Sequence, residues 1–446
     1  MNTCGINKVD ELGLLPPVQE SVESSQYVEV PCLTSLPRDD QSSLEFRIDK
    51  SDGALDLSSM YLHIRGQILD KDGKAINKEI VDEVLKLLAK KTKTEADKAE
   101  IKKLEKSLAH VAPTNMFSCS LFSDVEVLIS DQRVGQGTHY PWMAYTKALL
   151  DTPRSVKETT LKAAGWVPDK PLCFDICGDG NPGFKTRESS YGDSDTVDMV
   201  SKVTLVVEFT PRVLPVQTEV ALRFARSEPS FCIMADKGTY KVKIDEAKLY
   251  VLKFKLTEQA LHRQSQLLSS EGISYPVKRY ETRTMSLMKG AQNVDWVAFA
   301  GRLPRRVYLW QVAQDAYNGV YQKNPYNFKS FGLSKAQILA NEQSIITSQP
   351  TASTYRNNML YMNTAMICED LPCDPVDFTD GYFVIAADVS RDHSSRCNYV
   401  DYPVNGNLRI LFDYTEPVKE SIVIFCMGEF DATVQIDSNR NPSWIS

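Results

Sequence analysis

The chain has 446 residues, 42% hydrophobic and 24% charged, with ordinary glycine and proline content; it is a folded protein, too long for one core that stops growing near roughly 250–300 residues. Its net charge of −7 argues against a surface devoted to gripping nucleic acid. Ten cysteines spread over this length are not the dense disulfide framework of a small secreted domain.

Residues 1–40 are polar, carry Pro16-Pro17, Pro31 and Pro37, and read as an extended N-terminal arm. The N-terminus lacks the apolar core of a secretory signal, and runs such as Ile422–Met427 fall far short of the roughly 18 residues of a membrane span. Synthesis and retention in the cytosol or nucleus, or in a particle assembled there, is the expectation. In the first 43 residues only Lys8 and Arg38 stand against Asp10, Glu11, Glu20, Glu23, Glu29, Asp39 and Asp40, so a basic arm that neutralises packaged genome is absent.

Strand periodicity then begins. Leu44, Phe46 and Ile48 alternate with Glu45, Arg47 and Asp49, and after a turn at Asp52-Gly53 so do Met60, Leu62, Ile64 and Ile68 with Tyr61, His63, Arg65 and Gln67. Residues 75–110 switch to helical spacing: Ile80, Val81, Val84, Leu85 and Leu88 share one face, and Ile101, Leu104 and Leu108 another. Thr94, three residues before Asp97, resembles a capping-box start. The pattern predicts a helical hairpin inserted between two strands. Lysines dominate residues 86–106, but Glu95, Asp97, Glu100 and Glu105 interleave with them, which favours a solvated hairpin over a nucleic-acid patch.

Val125, Val127 and Ile129 resume the alternation, residues 139–150 suggest a short helix on the sandwich flank, and residues 151–198 are turn-rich. Further strand patterns run through Val203–Phe209, Val220–Phe224, Tyr240–Ile244 and Leu252–Leu256. Residues 257–274 read as a connecting helix, with Thr257 as N-cap and Gly272 near its end. The second half opens with strand-like YPVKRYETRTMSL and RRVYLWQV and closes with Leu408, Ile410, Phe412, Tyr414 and with Phe430, Ala432, Val434, Ile436, each set on one parity. The fold expected is all-β, two tandem jelly roll sandwiches: an arm at 1–40, a first sandwich over 41–256 with the insert 75–110, a linker over 257–274, and a second sandwich over 275–446. Periodicity alone leaves an immunoglobulin-like sandwich open.

Catalytic patterns are weak. Gly178-Asp179-Gly180-Asn181-Pro182-Gly183 has GxGxxG spacing, but Pro182 and the residues after it offer no convincing helix to hold a pyrophosphate, so a plain turn is expected. Cys173 and Cys177, with Cys368 and Cys373, have unlike spacings and no nearby histidine, which favours unligated thiols over zinc. The five histidines, His63, His110, His139, His262 and His393, are too scattered for the shared metal of a cupin. Glu369-Asp370 and Asp374 with Asp380 are the acidic pairs a glycosidase would need, read here as surface acids. No GxSxG, Walker or HExxH motif occurs, and no cofactor is expected.

Several segments, in order, resemble a known family. PPVQESVESSQYVE (16–29), LEFRIDKSDGALDLSSMYLHIRGQI, NMFSCSLFSDVEVLI, VALRFARSEPSFCIM, YPVKRYETRTM and GRLPRRVYLWQVAQDAYNGVYQKNPYNFKSFGL are similar to the hexon-type major capsid proteins of Polinton (Maverick) elements and adintoviruses. The match spans nearly the whole chain, is weaker after about residue 345, and lacks a counterpart to an insert as long as 75–110. The resemblance implies a double jelly roll whose homotrimers form pseudo-hexagonal capsomers of an icosahedral shell. It also implies neighbouring capsomers and a penton or vertex minor capsid protein as partners, no sequence-specific nucleic-acid binding, and a virion location with synthesis in the host cytoplasm and assembly possible in its nucleus. Contact with a membrane is left open. Tyr317, Tyr321, Tyr326 and Phe328 are the interface candidates, with packing in their own domain's core as the alternative. The rival readings are a lectin-like or host-attachment jelly roll, and an enzyme such as a glycosidase or cupin.

Overall fold

Alternating apolar residues in the first half become β1 (Val22–Pro31), β2 (Leu44–Ile48), β3 (Ala54–Asp70), β4 (Phe122–Ile129), β5 (Gln132–Thr138), β6 (Val197–Lys202), β7 (Val207–Phe209), β8 (Val220–Arg226) and β9 (Tyr240–Leu256). In the computed structural model, which describes residues 19–38, 42–89, 94–191, 194–209, 212–349, 378–393, 395 and 403–445, these strands make two antiparallel sheets, β1-β9-β3-β6 and β2-β8-β4-β5. Period-2 alternation sorts each strand: Met60, Leu62 and Ile64 of β3 are buried, while Tyr61, His63 and Arg65 point outward. Residues 22–31, inside the segment read as an arm, are thus a paired edge strand, with Val28↔Val251 and Val30↔Leu249 in register.

The second half supplies β10 (Ile273–Leu287), β11 (Asn293–Arg302), β12 (Arg306–Ala313), β13 (Leu333–Ala340), β14 (Gln343–Ser348), β15 (Val384–Asp388), β16 (Asn405–Tyr414) and β17 (Ile422–Ile436). They pair as β15-β12-β17-β10 and β11-β16-β13-β14. Setting aside β7 and five further short strands (Val111–Pro113, Ile233–Ala235, Phe328–Lys329, Asp380–Gly381 and Pro442–Ile445), each half supplies eight strands, and in both the first pairs with the eighth, the eighth with the third, and the third with the sixth. The other sheet of each half runs second, seventh, fourth, fifth. That order is a jelly roll, and the chain holds two of them with the same topology. Short β7 departs from the repeat: it leaves the first sandwich and pairs with β10 of the second, Val277↔Phe209 to Arg279↔Val207.

Among the described residues, five helices of ten or more residues sit on this frame. The insert forms α1 (Lys78–Leu88) and α2 (Glu95–Glu105), and the Thr94 capping box is made in full, Thr94 accepting from the Asp97 amide and Asp97 from the Thr94 amide. The apolar face expected of α1 stays open to solvent: Val81, Leu85 and Leu88 are exposed and Leu87 is the buried residue. Asn77 ties the hairpin's neck, donating to the Ala109 carbonyl (3.0 Å) and accepting from its amide (2.9 Å). Helix α3 (Tyr140–Asp151) is buried along nearly its whole length rather than lying on a flank.

Helix α4 (Pro182–Tyr191) corrects the reading of the glycine-rich stretch, where no helix was expected. Pro182 opens the helix, a position where a missing N–H costs nothing, and the Asn181 side chain accepts from the Gly183 and Phe184 amides. The nucleotide reading still fails, because residues 171–177 are turns rather than a strand, and a Cβ on Gly183 would run into the Pro168 carbonyl. Gly183 serves close packing, not phosphate approach. Helix α5 (Glu258–Ser270), capped by Thr257, links the two sandwiches.

Candidate assembly surfaces

One large hydrophobic cluster runs through both sandwiches, and α3 is one of the elements that join them. Trp142 of this helix stacks on Tyr317 (5.5 Å), lies 4.9 Å from Phe425 of β17, and donates through Nε1 to the Pro325 carbonyl (3.0 Å). Tyr145 stacks on Tyr326 at 4.2 Å and meets Phe328 edge-on at 5.6 Å. Trp310 of β12 stacks on both Phe328 and Phe425. The Tyr321 hydroxyl donates to the Tyr240 carbonyl at the start of β9 (3.0 Å).

All four sequence candidates therefore lie in the junction between the two sandwiches of one chain. Tyr326 and Phe328 are fully buried there, with no surface to offer a second copy, and Tyr317 and Tyr321 are partly buried. The loop between β12 and β13 brings them to the first sandwich. Trp142, Tyr145, Trp310 and Phe425 complete the junction, and sequence reasoning passed over them because each stands in an ordinary helix or strand pattern. One signal was available: Ile422–Met427 is an unbroken apolar run, the mark of a strand buried on both faces.

Buried charges cross the same junction. Arg306 of β12 and Glu429 of β17 are fully buried and paired, Arg306 Nε lying 3.0 Å from the carboxylate, with Asp151 at the end of α3 3.8 Å from the guanidinium. Lys147 of α3 pairs with Glu208 of β7 at 2.7 Å, sits 3.8 Å above the Tyr280 ring, and holds the Glu208 carboxyl down to about 2. The Tyr280 hydroxyl lies 3.0 Å from Glu208 and 3.2 Å from Glu429, tying the two pairs together. A second hub centres on buried Asp169, which accepts from Arg187 (2.6 Å) and Asn181 (2.8 Å) of the first half and from Asn324 (3.0 Å) of the second. Its own backbone carbonyl accepts from the Tyr382 hydroxyl at 2.6 Å.

Other candidate chemistry is dispersed. His63 pairs with Asp198 (2.5 Å), His110 with Glu188 (2.8 Å), and His139 packs among Trp142, Tyr317 and Phe425. Burial pushes the Cys177 thiol up to about 12, which disfavours a thiolate ligand there. Cys368, Cys373, Glu369, Asp370 and Asp374 lie outside the described residues; among the described ones no His, Cys, Asp and Glu gather as a metal site, and no helix is long and apolar enough to cross a membrane.

The class is set by the repeated strand order and the continuous core: an all-β double jelly roll. No family model matches the chain. In sequence it is 23% identical over 350 residues to the uncharacterized protein F54H12.2 of Caenorhabditis elegans, covering 74% of this chain and 81% of that one. In structure it is similar to a chain of the Sputnik virophage (TM-score 0.64, 13% identity, 100% of this chain and 93% of that one) and to one of the PBCV-1 virus capsid (0.59, 10%, 98% and 99%). The mavirus major capsid protein is a further neighbour (0.55, 9%, 98% and 93%). At such identities the likeness is one of fold.

Proposed function

We propose that the chain is a hexon-like major capsid subunit that associates with two copies of itself into a pseudo-hexagonal capsomer of an icosahedral shell. The observation that carries this reading is the duplication: two sandwiches of one strand order give each chain two similar blocks, so three chains supply six and a threefold oligomer fills a sixfold lattice position. The fold neighbours include proteins described as virus capsid components, which supports the same role. The ordered resemblance to Polinton and adintovirus capsid proteins supports that lineage, a virion location, and a vertex protein as a further partner. The division into a first sandwich over 41–256 and a second over 275–446, joined by 257–274, belongs to this reading, with β1 added to the first.

In this role no catalytic step is assigned. Tyr317, Tyr321, Tyr326 and Phe328 act by fixing the angle between the two sandwiches, which neighbouring copies must match for a ring to close. A lectin-like or host-attachment protein would need only one sandwich and an open cleft, and it leaves the duplication without a purpose. Native mass spectrometry of the purified chain tests the proposal. A mass of three chains is expected, because obligate contacts of this kind bury more than about 2,000 Å²; a stable monomer under mild conditions would count against it.

A further inference from the structure

We infer that the helical hairpin of α1 and α2 docks on an anionic lipid surface, the bare side of α1 entering the headgroup layer while the lysines around it meet the anionic headgroups. The inference goes beyond the shell-subunit reading and does not depend on it.

The hairpin is built as an excursion. Its ends are tied at the neck, where the Asn77 side chain is bonded to the Ala109 backbone and Lys237 donates to the Ser107 carbonyl (2.6 Å). Within it, Leu87 of α1 and Ile101 of α2 are buried as the two helices pack together, which uses one edge of the apolar arc of α1. The other edge is left over. Val81, Leu85 and Leu88 are 41%, 56% and 43% exposed. Spacings of four and three residues set them in one stripe along the helix, whereas the exposed apolar residues of an ordinary surface are scattered singly.

Charge is sorted along the same helix. Its acids, Glu79, Asp82 and Glu83, stand in the part nearer the neck. From Val84 to Thr94 the sequence VLKLLAKKTKT carries four lysines and no acid, so Leu85 and Leu88 belong to a basic stretch. Helix α2 adds exposed Lys98, Lys102 and Lys103. Over residues 86–106 eight lysines stand against four acids, in a chain whose net charge is −7.

Stripe and charge together select the partner. An apolar stripe bordered by lysines is the pattern of a helix that lies in the interface of an anionic bilayer, and α1, at 11 residues, is too short to cross one. A nucleic acid would satisfy the lysines and leave the stripe in water. A second copy of the hairpin would cover the stripe but bring two lysine clusters together. An anionic lipid surface satisfies both, its acyl boundary covering Leu85 and Leu88 and its headgroups meeting the lysines. One stripe is a small contact, and hairpins carried on the same oligomer add to one another through their shared attachment.

Flotation of the full chain with vesicles is the test. The probes are vesicles of equal parts phosphatidylserine and phosphatidylcholine, and vesicles of phosphatidylcholine alone. The variants are L85S/L88S and, as a control, V297S, whose residue is 48% exposed on β11. The unsubstituted chain and V297S are expected to float with the phosphatidylserine vesicles and not with the neutral ones, and to be released by high salt, which screens the lysines. L85S/L88S is expected to lose flotation while keeping the far-UV circular dichroism and native mass of the unsubstituted chain. Failure of the unsubstituted chain to float overturns the inference. So does flotation that L85S/L88S leaves intact, the result of lysines attracted to any polyanion, and so does a fall in native mass in L85S/L88S, which would assign the stripe to a contact between copies.

Discussion

Glu429 has no exposed surface, and burial alone would push its carboxyl up. The charges of Arg306 and Lys278 outweigh that cost and hold it below the ordinary glutamate value. Removing one partner of such a pair leaves an uncompensated buried charge, so Arg306→Met should lower the unfolding free energy by about 3–5 kcal/mol in urea titration, and the double change R306M/E429L should recover most of it. Acid acts on the same residues. Glu208 and Glu429 both titrate below the unfolded value of 4.5, so their contribution to stability is complete above that pH and is lost as the pH falls through their folded values. Thermal midpoints should hold steady down to about pH 5 and decline below it, and Glu208→Gln should make the acid limb shallower. The Glu208 share is small, since its side chain is half exposed to screening solvent.

The helical hairpin of α1 and α2 is an excursion whose ends are already joined by Asn77 and Ala109. Deleting residues 78–107 removes exposed Val81, Leu85 and Leu88 instead of uncovering core, and should leave a soluble chain of unchanged oligomeric mass; loss of the soluble oligomer would show that the insert supports the fold. This element was legible in the sequence because 3.6-residue spacing and the Thr94 cap are local signals. Helix α4 was not, since Pro182 was weighed as a helix breaker when its position at the first turn makes it a starter. The burial of α3 was equally hidden. Nothing in HYPWMAYTKALL says that a second sandwich lies against its outer side, because that contact comes from residues more than 150 positions away, at Tyr317, Pro325 and Phe425.

At the scale of the molecule, the duplicated β texture was readable from alternation in Tyr240–Leu256 and Phe430–Ile436, but strand order was not, because period-2 patterning is blind to which strands pair. The four aromatic candidates were read either as a contact between copies or as packing within their own domain, and all four lie at the junction between the two sandwiches of one chain. Composition cannot separate these two, since a junction between repeated blocks has the same chemistry whether or not a peptide bond spans it. The central claim is that three copies present six near-equivalent sandwiches around one axis. Electron-microscopic averages of the purified oligomer viewed along that axis test it most directly: a hexagonal outline with six lobes is predicted, and a twofold outline or a particle with only two sandwiches would contradict the account.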